Sequence, residues 1–215
     1  MAVKEPEFRP LSSVAGLRAA FIPRVAGVDV ATDRTTALAR LRMPHEDCLR
    51  QLGFDPLRLA TAEQVHGDVT AEALAPRAHA GADALITNVP GLVLGIYVAD
   101  CAAVYLADRV GRAIGLVHSG RAGTELNITG STIRMMQQTY GIEPRDLVVH
   151  VSPCIRPPLY ETDFASAIVS QARAAGAVDV FDDGICTGSN TGTYYSYRVE
   201  QGKTGRMLAV LALEL

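Results

Sequence analysis

Between Gly91 and His118 the chain runs GLVLGIYVADC, AAVYLADR and AIGLVH, three short apolar stretches broken only by Asp100 and by Asp108 with Gly111. They are too short and too rich in β-branched and aromatic residues for helices, and so predict buried strands. A fold with such a centre must bring other elements to cover it. DLVVHVS reads as a further buried strand, and TYYSYRV and RMLAVLALEL as two final strands around the turn EQGKTG. LRLATAEQVHGDV predicts a strand ending near Val65. Helical periods appear in three places. TTALARLRMPHEDCLRQLG is expected to form two short helices separated at Pro44, the second closed by Gly53. TELNITGSTIRMMQQTYG puts Leu126, Ile133, Met136 and Tyr140 on one face, and Gly141 ends it. DFASAIVSQARAAG begins at an Asp163 N-cap and stops at Gly176. The first 20 residues are loosely patterned, as a strand or an arm. The expectation is an α/β (α+β) fold, one domain over 1–215, with three or four helices.

Composition narrows the function. The net charge of −3 gives no basic field for nucleic acid. No apolar run is long enough to span a membrane, and MAVKEPEFRPL lacks the apolar core of a secretory signal, so a cytoplasmic location is expected. Cys48, Cys101, Cys154 and Cys186 are widely spaced and read as reduced thiols.

Three residues stand where apolar runs end. His66 follows AEQV, Cys101 follows GIYVAD, and His118 follows AIGLV. Rigid strands present functional groups at such ends. Two imidazoles and a thiolate form a borderline-soft donor set that suits zinc, with a fourth position left open. The same residues would serve a metal-free Cys–His nucleophile. A histidine at a strand end is more often a polar edge, and a lone buried cysteine a small hydrophobe. His79 reads as a surface residue in a turn. His150 takes no role, Cys48 and Cys186 read as structural, and Asp182 and Asp183 read as turn residues.

EQVHG, GADALITN, VADCAAVYLAD and LVHSGRAG, in this order, resemble successive motifs of the YfiH/YlmD-like family, long labelled multicopper polyphenol oxidase or laccase-domain proteins. FIPRVAGV (21–28) is similar to that family's FxTRxGGV turn, SPCIRPPLYE to its GPCIGxxxYE, and SYR with TGRM to its C-terminal pair. The resemblance implies mixed sheets sandwiched between helices. It also implies a zinc site, rather than copper, at His66, Cys101 and His118, and places Cys154 near it. The chain departs from the family where HSGRAG replaces HAGWRG, so that Arg121 takes the place of tryptophan and Ala122 that of arginine. Pro23 also replaces a hydroxyl beside Arg24.

The family is described as acting on purine nucleosides, by phosphorolysis of adenosine, inosine and methylthioadenosine or by deamination of adenosine. Phosphate would then be a second substrate, with Arg24, Arg121, Arg198 and Arg206 as candidate contacts. Asp100 and Glu161 are candidate acid–base groups, or groups that orient the ligands. Two alternatives stand beside this reading: an amide hydrolase editing peptidoglycan precursors, and a non-catalytic metal-binding scaffold. A laccase needs paired HxH motifs, and none occurs among the five histidines.

Overall fold

The computed structural model describes residues 8–214. After a short helix α1 (Arg9–Ser12), the strands are β1 (Leu17–Ile22), β2 (Leu59–Ala62), β3 (Thr70–Glu72), β4 (Ala78–His79), β5 (Ala84–Thr87), β6 (Val93–Val98), β7 (Ala102–Asp108), β8 (Ile114–Ser119), β9 (Leu147–Val151), β10 (Asp179–Asp182) and β11 (Met207–Leu213). The longer helices are α2 (Arg34–Gln51), α4 (Ile128–Tyr140) and α5 (Phe164–Ala174), with a short α3 (Arg121–Glu125). One mixed sheet has the order β1-β11-β6-β2-β4, the other β10-β9-β7-β8-β5-β3.

Strand periodicity explains how the layers form. In β11, Met207, Ala209, Leu211 and Leu213 join one buried cluster while Leu208, Val210 and Ala212 join another. In β7, Ala103, Tyr105 and Ala107 lie in the same cluster as the first β11 set, and Ala102, Val104 and Leu106 in a third. Successive side chains point to opposite faces, so each sheet is buried on both. The two sheets therefore share an inner core. Ile133 and Met136 of α4 and Ile168 of α5 cover the outer face of the second sheet, and Leu49 of α2 with Phe54 covers that of the first.

The region from β5 to β8 is stranded as the apolar runs imply, and α5 and β11 also match their periods. Asp163 caps α5 by accepting from the Ser166 N–H. Four expectations are corrected. Leu126 does not share the face of Ile133 and Met136: it is exposed at the end of α3, and α4 starts afresh after left-handed Asn127. Residues 34–51 form one helix through Pro44. Ala37, Leu41, His45 and Leu49 keep an unbroken i, i+4 buried face, and that packing outweighs the roughly 3 kcal/mol that an interior proline costs. The strand expected to end near Val65 stops at Ala62. TYYSYRV is not a strand: Tyr194, Tyr195 and Ser196 are buried within a run of turns, where the Tyr195 hydroxyl donates to Val25 O. Of the N-terminal arm, residues 1–7 lie outside the described residues, and the remainder forms α1 and β1. No helix among the described residues is long and apolar enough to cross a membrane.

Leu116 is fully buried in the inner core two residues before His118. Leu116→Ala is expected to lower the unfolding free energy by about 2–5 kcal/mol, read as an earlier urea midpoint with an unchanged slope.

Candidate metal centre

The alternation in β8 that sends Ile114 and Leu116 into the inner core places His118 on the same side, at the strand's end. Cys101 sits in the short link from β6 to β7, directly after Asp100, whose φ of 80 is left-handed. His66 lies in the loop after β2, also left-handed at φ 64, as is Gln64 at φ 65. Non-glycine residues hold such backbone only where their surroundings impose it. Here the imposing groups are visible. The Gln64 amide donates to Tyr97 O and accepts from Tyr97 N–H, a strand-like pairing made by a side chain. Asp83, fully buried just before β5, accepts from the N–H groups of Val65, His66 and Gly67.

The same carboxylate lies 2.8 Å from Nδ1 of His118, whose backbone N–H also donates to Asp83 O. Asp83 therefore fixes the His118 ring and the loop bearing His66 at once. It leaves Nε2 of His118 to face the thiol, as an outer carboxylate does for a metal-bound histidine. The ligand atoms of His66, Cys101 and His118 all lie within 4.8 Å of one another. The two imidazoles meet edge to face, with centroids 4.9 Å apart.

Electrostatics suit a metal cation. Burial would raise the Cys101 thiol, but the charge of His118 and hydrogen bonds to His118 and His66 outweigh it and hold the thiol below its ordinary range. Burial would lower His118, and the Cys101 thiolate with the Asp83 carboxylate raises it instead. Asp83 stays ionised although burial opposes this, because His118 and the backbone N–H donors of Gly67 and His66 favour its charge. One thiolate and two imidazoles can together hold one metal ion, which takes the place of the proton on His118. Gly120 is needed for this arrangement, since a Cβ built there would lie 2.5 Å from the Cys101 sulfur.

The centre lies in a cleft of about 1000 Å³, lined in part by Tyr97, Tyr160, Phe164 and Tyr197. Asp100 also lines it, but its carboxylate accepts from the Thr187 and Ser196 hydroxyls and the Arg198 N–H, so it anchors the Cys101 link. Arg121 and Arg198 line the cleft too, and both pair with Glu161. Arg206 is buried in the wall. Arg24 is elsewhere: it pairs with Glu200 and lies over the Tyr195 ring, outside the cleft lining. Cys154 is buried and is not one of the converging ligands. His79 is 5% exposed and so is not a surface residue, while His150 and Asp183 form a buried pair. Sequence reasoning passes over Asp83, Gln64, Arg34 and the aromatic lining. The visible signal for Asp83 is an acid at the mouth of the apolar strand ALIT.

The family model described as multi-copper polyphenol oxidoreductase laccase matches residues 24–166 and 160–214. A purine nucleoside phosphorylase of Deinococcus radiodurans is 34% identical over 188 residues, covering 75% of this chain and 73% of that one. Purine nucleoside phosphorylase YlmD of Geobacillus stearothermophilus is 28% identical over 227 residues, covering 86% and 81%. The crystal structure of YlmD from Geobacillus stearothermophilus superposes with a TM-score of 0.83 at 23% identity, over 94% of each chain. YfiH of Bacillus licheniformis gives 0.80 at 21% identity, over 92% of this chain and 93% of that one. At these identities the two structures speak for the fold alone.

Asp83→Asn keeps the shape and removes the charge. It is expected to weaken metal binding by about 10–100-fold while the protein stays folded, measured by competition with a metal indicator. Gly120→Ala, at an extended φ of −96 that alanine adopts freely, should weaken it through the Cys101 sulfur alone. Unchanged affinity in both variants would contradict the geometry described.

Proposed function

The chain belongs to the multi-copper polyphenol oxidoreductase laccase family, and from that membership we propose that it is a zinc-dependent purine nucleoside phosphorylase, acting on adenosine, inosine or methylthioadenosine through the whole of 1–215. The observation that carries this reading is the position of the metal-capable triad, beside a cleft large enough for a nucleoside and lined with aromatic rings that suit a purine face. Relatives covering about three quarters or more of the chain bear the phosphorylase name.

Donor chemistry supports zinc. One thiolate and two imidazoles are borderline-soft ligands for a tetrahedral ion with one open position. Zinc held by His66, Cys101 and His118 would supply a Lewis acid next to the bound nucleoside. The remaining work falls to the chain. The rings of Tyr97, Tyr160 and Tyr197 hold the base and exclude water, Asp83 keeps the ligand set in register, and Asp100 secures the Cys101 link. In phosphorolysis a phosphate oxygen bonds to C1′ of the ribose as the C1′–N9 bond breaks. The electron pair leaves with the purine, which takes up a proton, and ribose 1-phosphate is the second product.

The oxidase in the family's description needs a copper cluster built on paired HxH motifs, and the sequence has none. Among the described residues one group of converging ligands occurs, and His45, His79 and His150 lie outside it.

Adenosine and inosine incubated with the protein are expected to release free base only when phosphate is present. Chelation should abolish release, and added zinc should restore it. Phosphate-independent formation of inosine from adenosine would replace this reading with a deaminase. No product from either nucleoside would contradict it.

A further inference from the structure

Four arginines line the cleft, at positions 34, 121, 198 and 206. Two are already matched by carboxylates at its exposed edge: Arg121 pairs with Glu125 and Glu161, and Arg198 with Glu161. Arg206 and Arg34 have no carboxylate partner among the described residues. Arg206 is 9% exposed, and its Nη1 donates to Thr204 O at 2.9 Å and Gly205 O at 2.8 Å. Those two bonds fix the guanidinium plane. Its Nε and Nη2 hydrogens have no acceptor among the described residues. Arg34 donates from Nη2 to Glu63 O at 3.1 Å, which leaves its Nε and Nη1 open as well.

The three unused N–H donors of Arg206 are not sealed in the core but open on the cleft, where a bound anion can take them in place of water. We propose that Arg206 and Arg34 form a subsite for a phosphate group within the cleft. A planar fork with parallel free donors matches two oxygens of a tetrahedral anion, and the second cation supplies a third contact. Asp100, the carboxylate whose charge reaches Arg206, offers no competition, because it is held by three donors of its own. The Tyr197 ring, 5.8 Å from the Arg206 guanidinium carbon, shields one side. The two cations also feel each other: burial, and behind it the Arg34 charge, push the Arg206 guanidinium below its ordinary value. An anion between them would relieve that repulsion.

That the anion is inorganic phosphate, the second substrate, rests on the phosphorylase reading above. The 5′-phosphate of a nucleotide carries the same chemistry, so the test separates the two. Inorganic phosphate and adenosine 5′-monophosphate are titrated calorimetrically into the wild type and into Arg206→Met, Arg206→Lys and Arg34→Met, with Arg173→Met as a distant exposed control. Circular dichroism confirms that each variant is folded. Arg206→Met, which keeps the apolar stem, is expected to raise the phosphate Kd by roughly tenfold or more. Arg34→Met should give a smaller rise, Arg206→Lys a partial recovery, and Arg173→Met no change. Equal phosphate affinity in the wild type and Arg206→Met would overturn the subsite. Arg206-dependent binding of the nucleotide alone would overturn its assignment to free phosphate. Binding is read without turnover, so a protein that binds phosphate through Arg206 yet cleaves no nucleoside would remove the phosphorylase reading and leave the subsite standing.

Discussion

One buried carboxylate organises the candidate site. Asp83 accepts four hydrogen bonds, three from consecutive backbone N–H groups around His66 and one from the His118 ring. An ionised carboxylate with no exposure is tolerable only when its lone pairs are filled. The loop and the strand fill them together. The left-handed backbone at His66 follows from this demand, since its N–H must turn inward while its imidazole remains at the cleft. A site of this kind is fixed before any metal arrives, which lowers the ordering cost of binding one.

The sheets supply what the carboxylate cannot. Because both are covered on both faces, their strands are rigid rails, and the ligands sit where those rails end. Cys101 joins a strand of one sheet to a strand of the other, so the inner core registers it against His118. The aromatic lining comes from less regular segments, with Tyr160 before α5 and Tyr197 in the turns before β11. A rigid floor beneath irregular walls suits binding one molecule above the converging side chains of His66, Cys101 and His118.

Much of this was legible in the sequence where one local pattern dominates. Short continuous apolar runs, rich in β-branched and aromatic residues, placed β6, β7 and β8, and His118 was readable as an imidazole where none is needed for packing. The failures came where distant contacts override local preference. Pro44 predicts a break, yet the buried face of α2 runs through it. The tyrosines near residue 195 have strand propensity, but they find core pockets and side-chain partners in place of a neighbouring strand. Asp83 is 17 residues from His66 and 35 from His118, so no local spacing reveals its role. The arginines show the same limit. Composition offers several, and only the fold shows that Arg24 is tied to Glu200 while Arg206 keeps donors free.

The central claim is that His66, Cys101 and His118 bind one zinc ion. X-ray absorption at the zinc edge of the purified protein tests it most directly. The account predicts one sulfur near 2.3 Å and two nitrogens at about 2.0–2.1 Å, with a light atom completing four. Loss of the sulfur shell in Cys101→Ser would tie the signal to this site. A shell of oxygen and nitrogen alone, unchanged by that substitution, would contradict it.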